Sequence, residues 1–233
     1  SGESNNWAVA GTALTNTEDN PSDVFATMNP LIPGVTNMTY SNGNTTMTQA
    51  GGAWVKSNST LGMSKGKYYW EIKFTTMYDA NSWFVVGVDN TDTATPYSST
   101  STTAVGWKKN GNLDLGGVAQ TAISTYVQDD ILSVALDMDN DAVYFAKNGT
   151  WENSGVPTSG ASKTGAYTLP VADSTYFANF SPYNVAAGSV NFGNGYFGTT
   201  AISSEGTNAS GIGKFEYDVP AGYTALSTKG LNE

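Results

Sequence analysis

Few residue types in this chain can do chemistry, and those absent exclude much. There is no histidine and no cysteine. This removes the Ser-His-Asp arrangement, thiolate nucleophiles, disulfides, the usual zinc sites and the commonest general base. Carboxylates and aromatic rings remain. Asp137, Asp139 and Asp141 alternate like the start of a calcium loop. Such a loop also needs a glycine at its sixth position and a bidentate glutamate at its twelfth, where Asn148 stands. Turn residues at a hairpin tip explain the three aspartates, with a weak calcium site as the alternative. Glycoside hydrolysis needs two carboxyl groups about 5–10 Å apart, and no strand here carries a run of paired acids. Glu71 stands alone, facing away from Trp70 and Ile72, and reads as an edge or cross-strand partner for a lysine.

The aromatic rings are the better lead. A ring beside Asn, Asp or Lys can stack on a sugar face while its neighbours bond the hydroxyls, or it can anchor a protein partner. Tyr78-Asp79-Ala80-Asn81 and Trp107-Lys108-Lys109-Asn110 offer that combination. Tyr97, Trp151 and Tyr183 also fall at strand ends or in loops. The candidate ligand-binding residues are therefore Tyr78, Asp79, Asn81, Tyr97, Trp107, Lys108, Lys109, Trp151 and Tyr183. Trp70, Trp83, Phe84, Tyr144, Phe145 and Phe180 lie within apolar strands and belong to the core.

The elements that must position these residues are strands. Residues 131–136 (ILSVAL) and 142–146 (AVYFA) are apolar runs bounded by turn chemistry, as buried sandwich strands are. Asn148-Gly149 is a hairpin signal, because both residues accept the positive φ of a type I′ turn. In residues 67–75, Tyr68, Trp70, Ile72 and Phe74 alternate with Lys67, Glu71 and Lys73, the period of a half-buried strand. Tyr69 breaks the polar face, which suggests cover by an N-terminal arm. Residues 83–88 form a central strand, and 38–40, 45–48, 53–56, 104–107, 113–115, 176–180 and 189–192 form shorter ones. Residues 153–166 read as a polar loop and 198–213 as a flexible one. No segment has a convincing helical period. The expected fold is an all-β sandwich, with an arm over residues 1–23, the sandwich over 24–197, and a loop and C-terminal extension over 198–233.

Composition agrees. The 233 residues are 39% hydrophobic and 12% aromatic, enough for a core, and only 13% charged. The net charge is −10 and all ten cations are lysines. Nucleic-acid binding needs a basic footprint, which is missing, and anionic membranes are disfavoured for the same reason. No apolar run reaches the length of a membrane span.

The strand motifs occur in a recognisable order: Tyr68-Tyr69-Trp70-Glu71-Ile72, then Val86-Gly87-Val88, Gly106-Trp107, Leu136-Asp137-Met138-Asp139, and Tyr144-Phe145-Ala146-Lys147-Asn148-Gly149. This order resembles a SPRY (B30.2-like) domain over about residues 24–197. The resemblance implies a bent, concanavalin-like β-sandwich of two antiparallel sheets, with binding surfaces built by loops at one end. The segments DVFATMNPL (23–31), GTWENSGVP (149–157) and FEYDVPAGYTALSTKGL (215–231) look like SPRY-bearing structural proteins of tailed bacteriophages, especially aquatic ones. In that pattern the tail often reads ALCTKNL; here Ser227 and Gly230 stand at the Cys and Asn positions. The resemblance implies a virion component, tail-, fibre- or surface-associated. The expected function is non-catalytic recognition of a host-surface glycan or protein, with no cofactor. An architectural protein that binds only other virion proteins is the alternative, and a polysaccharide hydrolase is the least favoured.

Overall fold

A computed structural model describes residues 22–32, 37–52, 54–77, 83–91 and 101–232. The expected N-terminal arm falls almost wholly outside these residues. In chain order the strands are β1 (Met38–Ser41), β2 (Thr46–Gln49), β3 (Ser57–Met63), β4 (Lys67–Met77), β5 (Trp83–Asp89), β6 (Val105–Lys108), β7 (Leu113–Leu115), β8 (Val118–Ala119), β9 (Ile131–Asp137), β10 (Ala142–Lys147), β11 (Thr150–Trp151), β12 (Tyr167–Thr168), β13 (Tyr176–Tyr183), β14 (Ala186–Asn191), β15 (Tyr196–Phe197), β16 (Thr200–Ala201) and β17 (Thr224–Ala225). They build one sheet in the order β1-β2-β14-β4-β9-β10-β11, with β12 also on β10 and β17 on β4. A second sheet runs β3-β13-β5-β6-β7-β8, and β15-β16 is a small separate hairpin. Among the strands of the described residues only β17 lies parallel to its neighbour, extending the β4 edge beyond β14 at Tyr68 and Tyr69.

The two-residue period of each strand decides what fills the space between the sheets. Trp70, Ile72 and Phe74 of β4, Leu132, Val134 and Leu136 of β9, and Val143 and Phe145 of β10 meet Val86, Val88, Val105, Trp107, Ala178 and Phe180 of the second sheet. The Asn148-Gly149 turn joins β10 to β11 with φ of 48° and 80°, the primed geometry the dipeptide favours. The aspartate run sits between β9 and β10. Asp137 Oδ1 accepts the N–H groups of Asp139 and Asn140, both at 3.1 Å, and its Oδ2 pairs with Lys67 Nζ at 2.8 Å. Its oxygens are thus committed to the turn and to a lysine.

Trp107 was a candidate ligand contact and is instead core. It is 0% exposed, pairs with Val86, and meets Tyr126 and Phe145 edge-on at 5.2 and 5.9 Å. Its Nε1 donates to Ser124 O at 2.9 Å. The strand period turns this ring inward, while Lys108 alternates out. Beside it, β5 and β6 cross at Gly87 opposite Gly106. A Cβ on Gly87 would lie 1.8 Å from Val105 O, so only glycine fits.

Other expectations shift for local reasons. Residues 54–56 are not a strand; the strand starts at Ser57. Lys56 is buried there, with Nζ bonded to Asp89 Oδ2 at 2.6 Å and to Thr91 O at 2.7 Å. The polar run SNSTLGM makes a strand because its neighbours supply side-chain partners, such as Asn179 Nδ2 donating to Asn58 Oδ1 at 2.8 Å. The polar loop after Trp151 contains two 3-10 segments, Glu152–Ser154 and Pro157–Ser162. Within residues 198–213, Ile212 is 1% exposed, and Thr207 donates from N and Oγ1 to Asp218 Oδ1.

Glu71 is neither at an edge nor paired with a lysine. Its strand lies between β14 and β9, and the residue is 0% exposed. Four donors converge on its carboxylate. The N–H groups of Glu216 and Tyr217 and the Tyr69 hydroxyl each donate at 2.9 Å, and Asn191 Nδ2 donates at 3.4 Å. Among the described residues the cover over Tyr69 is the C-terminal segment, with Phe215 edge-on at 5.0 Å. Burial pushes Glu71 up to about 7, against the downward pull of the four donors.

Three outcomes follow. Trp107→Ala empties the centre of the core and should cost roughly 3–5 kcal/mol of unfolding free energy, measured by chemical denaturation. Gly87→Ala forces β5 off β6, and should leave little folded protein by near-ultraviolet circular dichroism. Glu71 has a folded pKa above its unfolded 4.5, so its favourable contribution is full below 4.5 and is lost as pH rises through about 7, by about 3 kcal/mol. Denaturation midpoints across that range should fall in the native protein and show a flatter profile in Glu71→Gln; parallel profiles would contradict this assignment.

Candidate functional site

The strand registers sort the candidate residues by place. Tyr183 of β13 pairs with Trp83, and Val85 of β5 pairs with Lys108. The start of β5, the β6–β7 turn and the β13–β14 turn therefore lie at one end of the sandwich. This end carries Tyr183, Lys108 and Lys109. Tyr78, Asp79 and Asn81 belong to the β4–β5 connection and lie outside the described residues. Tyr97, between β5 and β6 in the chain, is likewise outside the described residues. Of the described candidates, Tyr183, Lys108 and Lys109 share this end.

At this end, Tyr183 is half-buried against Trp54, with ring centroids 5.1 Å apart and planes tilted by 32°. Trp54 in turn covers Val85 and Ala104, a small apolar cluster separate from the main core. Lys108 forms an ion pair with Asp114. Lys109 holds the loop in place through its carbonyl, which accepts Tyr126 N–H at 3.1 Å. This end offers a pair of large rings packed on each other, and carries Lys108 and Lys109. Trp54 was not among the candidates, because its segment reads as a strand; its exposure comes from the irregular path before Ser57.

Trp151 sits elsewhere, on the outer face of the first sheet. Its backbone pairs with Ala146, and its ring meets Tyr144 edge-on at 6.5 Å and 84°. Across from it runs the C-terminal segment pinned by Glu71. A cleft of about 200 Å³ lies between them, with Trp151 and Tyr217 on its walls, Tyr69, Ser133 and Ala146 at its floor, and Asp218 at its rim. Gly149 lets Tyr217 lie close: a Cβ there would meet the Tyr217 ring at 2.7 Å. The two bonds from Thr207 hold Asp218 below the usual carboxylate range, so it is ionised near neutrality. Partial burial, with Glu216, Glu71 and Asp130 nearby, raises the Tyr217 phenol, which therefore stays neutral. Tyr217-Asp218 is a ring beside a carboxylate, the pattern that marked Tyr78-Asp79, and could have been found by it.

Another cavity, about 340 Å³, is lined by Lys67, Asp139, Ser210, Tyr223 and Thr224. Lys67 is already paired with Asp137 and lies 5.9 Å from the Tyr223 ring centre.

Comparison with known proteins places this architecture. No curated protein sequence matches the chain. Among solved structures, the SPRY domain of human HERC1 superposes with a TM-score of 0.54 at 20% identity, covering 66% of this chain and 92% of that one. The TRIM65 PSpry domain gives 0.54 at 12% identity, covering 72% and 92%. Identities this low speak for the fold. The sequence model of the SPRY domain matches residues 67–194, more than half of the chain and the stretch from β4 through β14 that forms most of both sheets. On that match and that sandwich, the chain belongs to the SPRY domain family.

Proposed function

We propose that this chain is a non-catalytic recognition module of a tailed-phage virion, presenting the ring-bearing end of its sandwich to a glycan or protein on the host surface. SPRY domains generally mediate protein binding, which supports a binding role. The observation that carries the reading is the half-buried Trp54–Tyr183 pair, with ring centroids 5.1 Å apart. Large rings fixed before a partner arrives lose little conformational freedom on binding. The phage setting rests on the sequence resemblance of residues 23–31, 149–157 and 215–231. A binding role is also favoured over hydrolysis by the acids: Glu71 gives its oxygens to four donors, and among the described residues Asp218 is the one carboxylate lining the Trp151 cleft. The architectural reading, contact with other virion proteins, draws on Leu31, an aliphatic side chain 83% exposed.

The test is a bacterial-surface glycan array and a host-cell binding assay with the native protein and Tyr183→Ala. Selective binding, weakened on the order of tenfold or more in the variant at unchanged melting temperature, is the expected result. Equal binding by both proteins removes the ring pair from the site. Silence with every glycan and every cell surface favours the architectural role.

A further inference from the structure

The cleft beside Trp151 has a composition that the fold does not need. Elsewhere on the outer face of the first sheet, returning segments cover the rings. Phe215 lies on Tyr69, and Tyr223 hydroxyl donates to Pro157 O at 3.0 Å. Over Ser133 and Ala146 the cover stops short and leaves an opening. A gap lined only by aliphatic groups would be a packing fault. This one has rings on two sides, hydroxyls below and a carboxylate at the mouth.

Both walls are set in advance. Tyr217 is fixed at its backbone, where its N–H donates to Glu71 Oε1 at 2.9 Å, and at its ring, which rests on Gly149. Trp151 is fixed by its pairing with Ala146 and by Tyr144 behind it. Asp218 Oδ1 accepts both bonds from Thr207, at 2.7 and 2.8 Å, and the carboxylate is exposed. At the floor the Tyr69 hydroxyl lies 2.9 Å from Ser133 Oγ. Rings that meet a C–H face, with an ionised acceptor at one edge, match a pyranose, which has apolar faces and a rim of hydroxyl donors. The volume is below the roughly 300–1,000 Å³ of sites for drug-sized ligands, so it admits one ring of a chain that continues into solvent.

We propose that this cleft is a saccharide subsite, in which one sugar ring lies between Trp151 and Tyr217 and bonds its hydroxyls to Asp218. The assignment rests on the recognition reading above for its biological sense, but it names a different place, on the outer sheet face rather than at the Trp54–Tyr183 end. It also names the ligand class.

The experiment is a titration of the whole chain with methyl glycosides of glucose, galactose, mannose, N-acetylglucosamine and rhamnose. It is followed by the indole and amide resonances of a ¹⁵N-labelled sample. Saturable shifts of the Trp151 indole and the Tyr217 and Asp218 amides are expected with at least one sugar, with a dissociation constant on the order of 1 mM. Asp218→Asn should weaken that binding about fivefold or more at unchanged melting temperature, which Trp151→Ala alone could not establish because its ring also packs on Tyr144. Shifts that survive in Tyr183→Ala place the subsite apart from the sandwich end. Shifts confined to residues around Tyr183, or none with any sugar, overturn the subsite. The first of those results would leave the recognition reading standing, and host-cell binding without sugar shifts would do the same.

Discussion

A single buried carboxylate ties the outer layer of this domain to its sheet. Glu71 could not be buried without partners, because desolvating a charge is costly unless donors replace the water. Four donors do so, from β4 itself, from β14, and from two successive backbone N–H groups of the C-terminal segment. The segment that crosses the outer face is thereby held at Glu216 and Tyr217, and Phe215 is delivered onto Tyr69. Asn191, one of those donors, also bonds Lys214 O at 2.9 Å and accepts from the N–H groups of Gly193 and Gly195. The bend after β14 and the return of the chain thus share one polar cluster. Every surface formed by the C-terminal segment, the Tyr217 wall included, depends on it.

The second sheet has its own polar anchor. Asp89 accepts from Lys56 Nζ at 2.6 Å, from Thr91 N at 3.2 Å and from Thr103 Oγ1 at 2.8 Å. Thr91 and Thr103 stand on either side of the β5–β6 connection, so one carboxylate gathers both ends of it. The arrangement parallels that at Glu71: a buried acid fixes the path of irregular chain, while the apolar interior fixes the sheets. Specific binding surfaces carried on loops need such fixed roots.

The aromatic residues divide accordingly. Rings whose strand position points inward, such as Trp70, Trp107 and Phe145, fill the space between the sheets. Rings that point outward meet one of two fates. Tyr69 and Tyr144 are covered by returning segments. Trp54, Tyr183, Trp151 and Tyr217 stay half-buried where the cover ends. Among the described residues Tyr40, Phe177 and Tyr196 are half-buried as well, elsewhere on the surface.

Much of this was legible in the chain. The apolar runs, their alternation in β4, the Asn148-Gly149 turn and the order of the strand motifs determined a two-sheet sandwich and its family, because side-chain period and turn chemistry are local properties. Glu71 was misread for the complementary reason. Its four partners come from residues 69, 191, 216 and 217, and only closure of the sheet brings them together. Trp107 was misjudged because a terminal strand residue can face either way until its neighbours are in register. The polar strand Ser57–Met63 carried no apolar signal, and its partner Asn179 is 121 residues from Asn58. Secondary structure and family were decided by short-range pattern. Which rings remained open to solvent, and which acid was buried, were decided by contacts between segments far apart in the chain, whose free energy exists only once the sandwich has closed.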